Sequence, residues 1–136
     1  MKLIISANTL QQILDHTRRE YPYEACGLVG GRNSTAEIVV PIPNASLTPR
    51  TAFEMERQAM VDAIIRFQRN GQEVVAIYHS HPDGKAEPST TDITQANWPD
   101  VVWLLVSVDS AQQTDVTAWT IRNGRAEPAE IEITPD

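Results

Sequence analysis

Val74-Val75-Ala76-Ile77-Tyr78-His79-Ser80-His81-Pro82, followed by Pro88-Ser89-Thr90-Thr91-Asp92, is the stretch on which the reading of the whole chain turns. Val74 to Tyr78 is an apolar, β-branched run that predicts a buried strand. It delivers His79 and His81 at its end. Side chains alternate along extended backbone, so two histidines two residues apart project to the same side. Asp92, eleven residues after His81, can return an oxygen ligand. Two imidazoles and one carboxylate, with no fourth protein ligand, is the donor set of a catalytic zinc, whose open position holds a water. A structural zinc would want four closing ligands, usually including thiolates, and the chain has one cysteine. The pattern points to hydrolysis.

Working outward, 136 residues suit one domain with a real core, and a composition 41% hydrophobic and 21% charged is that of a globular protein. A net charge of −7 with no Lys/Arg cluster argues against nucleic acid and anionic membrane surfaces as partners. A basic or neutral polypeptide tail is easier to accept. Met1 to Ser6 runs into polar residues with no apolar stretch long enough for a signal peptide or membrane span. One cysteine makes no intrachain disulfide, so the expected location is cytoplasmic.

Neither repeats nor linkers divide the chain. Leu3 to Ser6 predicts a first strand, and Ser6 or Asn8 can cap a helix carrying Leu10, Ile13 and Leu14 that ends near Tyr21-Pro22. Strands are expected over Ala25 to Gly31 and Ile38 to Ile42, the latter closed by Pro41 and Pro43. A polar loop follows from Asn44 to Thr51. The longest helical pattern runs from Phe53 to Asn70, with Phe53, Met60, Ile64 and Phe67 inward and Gly71 as its stop. Val101 to Val108 reads as a strand buried on both faces, and Val116 to Ile121 as an edge-like strand. Asn123-Gly124 turns into a last strand around Ile131 and Ile133. These elements make an α/β protein, a mixed sheet flanked by helices.

Outside the two histidines, the residues leave alternatives. His16 falls on the polar part of the first helix and reads as a surface residue. Ser89-x-x-Asp92 is equally a helix capping box over a short helix from Thr90 to about Asn97, and a capped helix would also hold a ligand carboxylate rigidly. Peptide hydrolysis needs a group that moves a proton to the leaving amine. Glu24 sits at the mouth of a strand, but its own context reads first as a solvated turn carboxylate. Cys26, inside that apolar strand, is expected to pack as a small hydrophobe. Gly27, Gly30 and Gly31 lack the lysine of a phosphate loop and suggest close backbone approach, conceivably by an extended substrate. Trp98, Trp103 and Trp119 read as packing residues.

His79-x-His81, seven residues, then Ser89-x-x-Asp92, with Glu24 upstream, resembles the JAMM (MPN-plus) zinc metallopeptidases. Glu24-Ala25-Cys26-Gly27-Leu28 and Pro88 look like the small stand-alone bacterial branch. The likeness covers nearly the whole chain, and implies one JAMM/MPN domain over residues 1–136 with that family's deaminase-like architecture. It implies one catalytic Zn2+ held by His79, His81 and Asp92. Glu24 would be general base and then acid, and Ser89 would steady the oxyanion. The implied substrate is the C-terminal tail of a ubiquitin-like or sulfur-carrier protein, cleaved after its glycines. A non-catalytic MPN-type scaffold is the alternative, though scaffolds lose metal ligands and this chain keeps them. A zinc nucleoside deaminase would carry His-x-Glu and Pro-Cys-x-x-Cys, neither of which is present.

Overall fold

Ser6 ends the first strand and begins the first helix. Its backbone is extended and its hydroxyl accepts from the Thr9 amide, satisfying one of the free donors of the first turn. The computed structural model describes residues 1–136. In chain order it comprises β1 (Lys2–Ser6), α1 (Ala7–Glu20), β2 (Cys26–Arg32), β3 (Thr35–Ile42), α2 (Arg57–Arg69), β4 (Glu73–Pro82), α3 (Thr90–Gln95), β5 (Val102–Val108), β6 (Thr114–Arg122) and β7 (Arg125–Thr134).

The strands form one mixed sheet in the order β1-β3-β2-β4-β5-β6-β7, which closes into a barrel because β1 pairs parallel with β7 and meets β3 at Ile4 and Thr35. The β4–β5 pair is also parallel, with Ala76 to Pro82 in register with Val102 to Val108. β6 is paired on both sides, with β5 and with β7, and is not an edge. The half-exposed alternation that suggested an edge reflects only its outer face.

Each face of the sheet carries its own core. On one, Leu10 and Ile13 of α1 pack on Leu3, Ile5, Val29, Tyr78, Leu104 and Val106; on the other, Ala63 and Phe67 of α2 pack on Leu28, Ile77, Trp103 and Ile121. β4 and β5 feed both faces, Tyr78 to the first and Ile77 to the second, which is why their sequences are continuously apolar. The glycines of β2 serve this packing. A Cβ on Gly27 would strike the Tyr78 ring, and one on Gly30 would lie 2.6 Å from the Phe67 ring. The close approach is therefore by core side chains and not by a substrate.

α2 begins at Arg57, not Phe53: Glu56 is its N-cap, its carboxylate accepting from the Gln58 and Ala59 amides. That start signal lies inside an apolar pattern that masks it. His16 is buried, 6% exposed, because α1 lays this turn on the sheet where the ring reaches the Tyr78 hydroxyl at 2.7 Å. No helix is long and apolar enough to cross a membrane.

Candidate metal centre and active site

β4 runs through both histidines to Pro82, so the strand itself aims them. His79 is fully buried and His81 lies nearer the surface. Their Nε2 atoms stand 3.2 Å apart. Asp92, in the first turn of α3, places Oδ1 3.1 Å from His79 Nε2 and Oδ2 3.0 Å from His81 Nε2. The capping box is complete as well: Ser89 Oγ accepts from the Asp92 amide at 3.0 Å, and Asp92 Oδ2 accepts from the Ser89 amide at 2.9 Å. Cap and carboxylate placement are thus one device, since the bonds that start the helix also fix the rotation of Asp92.

The donor set fits a divalent cation. His81 Nδ1 lies 2.8 Å from the Lys85 carbonyl, which can only accept; Nδ1 therefore carries a proton, and when the ring is neutral its lone pair is on Nε2. The two nitrogens stand 3.2 Å apart, and each has one of the two Asp92 carboxylate oxygens 3.0–3.1 Å away. Tetrahedral zinc with bonds near 2.0 Å has ligand–ligand edges of about 3.3 Å. Without a proton or cation among them, these lone pairs would repel.

Glu24 comes from the loop between α1 and β2. It is 6% exposed, and its Oε1 is buried without a hydrogen-bond partner. A carboxyl oxygen of Glu24 and one ring nitrogen from each of His79 and His81 lie within 4.8 Å of one another, so Glu24 could also reach a metal held there. Burial, opposed by the charge of His81 and helped by that of Asp92, pushes its pKa up to about 7. A carboxyl poised there can take and return a proton at neutral pH. Asp92 is the opposite case. Burial acts to raise it, but hydrogen bonds from His79 and His81 outweigh burial and hold it well below the usual carboxylate range. Burial also lowers His79, while for His81 it is outweighed by the Asp92 hydrogen bond and the Lys85 carbonyl, leaving that ring raised.

Several residues complete the site that their local sequence did not mark. Phe53 stacks on His79, ring centroids 4.3 Å apart at 25°, and Trp103 meets the same imidazole edge-on at 6.4 Å. Asn44 binds the main chain on either side of the loop that carries Phe53, a role that an asparagine opening a polar loop could have signalled. Cys26 is paired with His79 across the β2–β4 ladder, yet its thiol is buried, directed at the Ile42 carbonyl 3.4 Å away, and pushed up to about 12 chiefly by burial. It packs as expected and supplies no thiolate. Two cavities flank the centre. One of about 500 Å³ includes Glu24, and one of about 620 Å³ includes Asp92, Phe53 and Trp103.

Comparison with known proteins places this geometry. The family described as prokaryotic homologs of the JAB domain matches residues 6–122. The desampylase of Haloferax volcanii is 32% identical over 114 residues, 79% of this chain and 82% of its own. The CysO-cysteine peptidase of Mycobacterium tuberculosis is 32% identical over 125 residues, 90% of this chain and 84% of its own. A protein of Desulfitobacterium hafniense solved in solution shares the fold with a TM-score of 0.86 at 28% identity, over 100% of this chain and 94% of that one. The chain belongs to the prokaryotic homologs of the JAB domain.

Proposed function

We propose that the protein is a zinc-dependent peptidase or isopeptidase that hydrolyses the bond after the C-terminal glycines of a ubiquitin-like or sulfur-carrier protein, residues 1–136 acting as one such domain. The observation that carries the reading is the convergence of His79, His81 and Asp92 on one point, with the unpartnered carboxyl oxygen of Glu24 beside it. The names of the two relatives, a desampylase and a CysO-cysteine peptidase, support the substrate class.

His79, His81 and Asp92 would hold the metal. A zinc ion there would supply a Lewis acid, which would lower the pKa of water to about 7 and polarise the scissile carbonyl. Glu24 takes one proton from the attacking water as the water's oxygen bonds to the carbonyl carbon. It then hands that proton to the nitrogen as the C–N bond breaks, so amide and water become carboxylic acid and amine. Ser89 accepts from the Asp92 amide and keeps its own hydroxyl proton to donate to the oxygen on which charge develops. Phe53 and Trp103 exclude water from His79 and stiffen it. The acidic chain offers no basic patch, so the tail is recognised by shape, and glycines let its backbone approach the metal without side chains striking Glu24 and Ser89.

The test is cleavage of a carrier extended as Gly-Gly-Xaa, with bound zinc measured in the same sample. Release of Xaa, and a sharp loss when the penultimate glycine becomes valine, is the expected result. Equal rates on both would rule out a glycine channel. Finding neither bound zinc nor cleavage of any extended carrier would return the chain to the scaffold class.

A further inference from the structure

Ser80 stands between the two histidines on β4, and alternation along the strand turns its side chain away from theirs. It is fully buried. A buried hydroxyl needs a hydrogen-bond partner, and here the partner is main chain. The β2–β4 register pairs Cys26 with His79, so the next step of the ladder sets Ala25 against Ser80. A regular antiparallel pair of this kind exchanges two main-chain bonds. One of them is made: the Ser80 amide donates to the Ala25 carbonyl at 3.0 Å. The Ala25 amide donates instead to Ser80 Oγ, at 2.8 Å. The hydroxyl thus stands in for the Ser80 carbonyl at the step where the chain joins the sheet from the Glu24 loop.

The diverted amide belongs to the peptide unit that follows the proposed base. The carbonyl of that same unit, on Glu24, accepts from Asn44 Nδ2 at 3.0 Å. A trans peptide is planar and directs its N–H and C=O to opposite sides, so Ser80 and Asn44 hold one rigid plane from both edges. The preceding unit is fixed as well, its Glu24 amide donating to the Pro49 carbonyl at 2.7 Å. With a plane held on each side, φ and ψ of Glu24 are both set, and with them the direction in which its side chain leaves the backbone. Asn44 and Pro49 tie Glu24 to a neighbouring loop. Ser80 ties it to the strand that carries His79 and His81, one residue from each.

We propose that Ser80 is a positioning residue for hydrolysis, its hydroxyl fixing the Glu24 carboxyl in register with His79 and His81. The proposal rests on the peptidase reading. Alanine at position 80 leaves the Ala25 amide without its acceptor at a residue only 2% exposed, and a shift of the peptide plane is the relief at hand. A misplacement of about 1 Å at a reacting group costs on the order of 10²-fold in turnover. No metal ligand is removed, and Ser80 points away from the side on which the histidines meet Asp92, so bound zinc and KM stay close to wild type.

The experiment measures kcat and KM on a Gly-Gly-Xaa carrier for wild type, Ser80→Ala and Ser80→Cys, with zinc content and melting temperature on each sample. Exchange of the Ala25 amide with solvent is followed by NMR in the same proteins. Ser80→Ala should lower kcat by about tenfold to a hundredfold with KM and zinc unchanged, and should speed exchange of the Ala25 amide at least about tenfold. Ser80→Cys keeps a weaker acceptor of similar size and should fall between the two; it carries the comparison with wild type if the alanine variant does not fold. Wild-type kcat in a folded Ser80→Ala protein overturns the proposal, whatever its melting temperature. An Ala25 amide that exchanges no faster overturns it too, as does a loss traced to released zinc or a raised KM instead of kcat. Failure of wild type to cleave any extended carrier would sink the peptidase reading itself, a result distinct from normal turnover in Ser80→Ala.

Discussion

Asn44 holds the main chain of Glu24: its Nδ2 donates to the Glu24 carbonyl at 3.0 Å and to Ala52 at 3.1 Å, while its Oδ1 accepts from the Ser46 and Glu54 amides. One side chain thus ties the proposed base to the loop that lays Phe53 on His79.

Asn44→Ala should therefore lower turnover more than it raises KM, because it loosens the base and not the substrate. Loss of a well-made polar network also destabilises by about 1–3 kcal/mol. Asn44→Asp keeps the two acceptors and loses the two donors, so it should fall between the two proteins in melting temperature. An alanine variant with unchanged turnover and only a lower melting temperature would confine Asn44 to a structural role.

Metal content should separate ligands from base. His81→Ala and Asp92→Asn should copurify with much less zinc, since each removes a donor 3.0 Å from its neighbour. Glu24→Gln should retain zinc and lose activity. Zinc loss in Glu24→Gln would make Glu24 a ligand, an outcome its placement within 4.8 Å of both histidine nitrogens makes worth measuring.

Without metal, Glu24 should also write its protonation into stability. Its pKa is raised from 4.5 to about 7, so the folded state binds the proton more tightly than the unfolded chain. This contribution is full below pH 4.5 and is lost as pH rises through about 7. Glu24→Gln does not titrate, and in chelator at pH 8 it should be more stable than wild type by at most about 3 kcal/mol. The two melting curves should converge on acidification to pH 4; parallel pH profiles would show that Glu24 is not the strained group.

Ser89→Ala removes both a cap and a donor. The cap costs about 1 kcal/mol of stability, and an oxyanion donor typically about 10²–10³ in turnover. A lower melting temperature with normal turnover would leave Ser89 only its bond from the Asp92 amide.

Cys26→Ser should keep most activity, because a thiol pushed up to about 12 offers no nucleophile. The shorter hydroxyl still faces the Ile42 carbonyl, and the cost should appear as reduced stability in an apolar strand. A folded, zinc-loaded and inactive Cys26→Ser protein would reopen cysteine chemistry.

The readable part of this protein was local. Period-two alternation placed His79 and His81 on one side of β4, Ser89-x-x-Asp92 signalled a cap, and apolar runs marked β4 and β5, because each rests on backbone geometry over a few residues. The family motif extended this to Asp92 and Glu24 as candidates. Neither their distances nor the environment of Glu24 could be read that way. Closure of the sheet depends on β1 and β7 meeting across the length of the chain. The burial of His16 depends on Tyr78 standing opposite it, and the raised carboxyl of Glu24 on walls drawn from α1, β3 and the Asn44 loop. Residue types and spacings carry the chemistry that is possible. Desolvation and the pairing of distant groups choose which of those residues perform it, and both arise only when separated segments pack together.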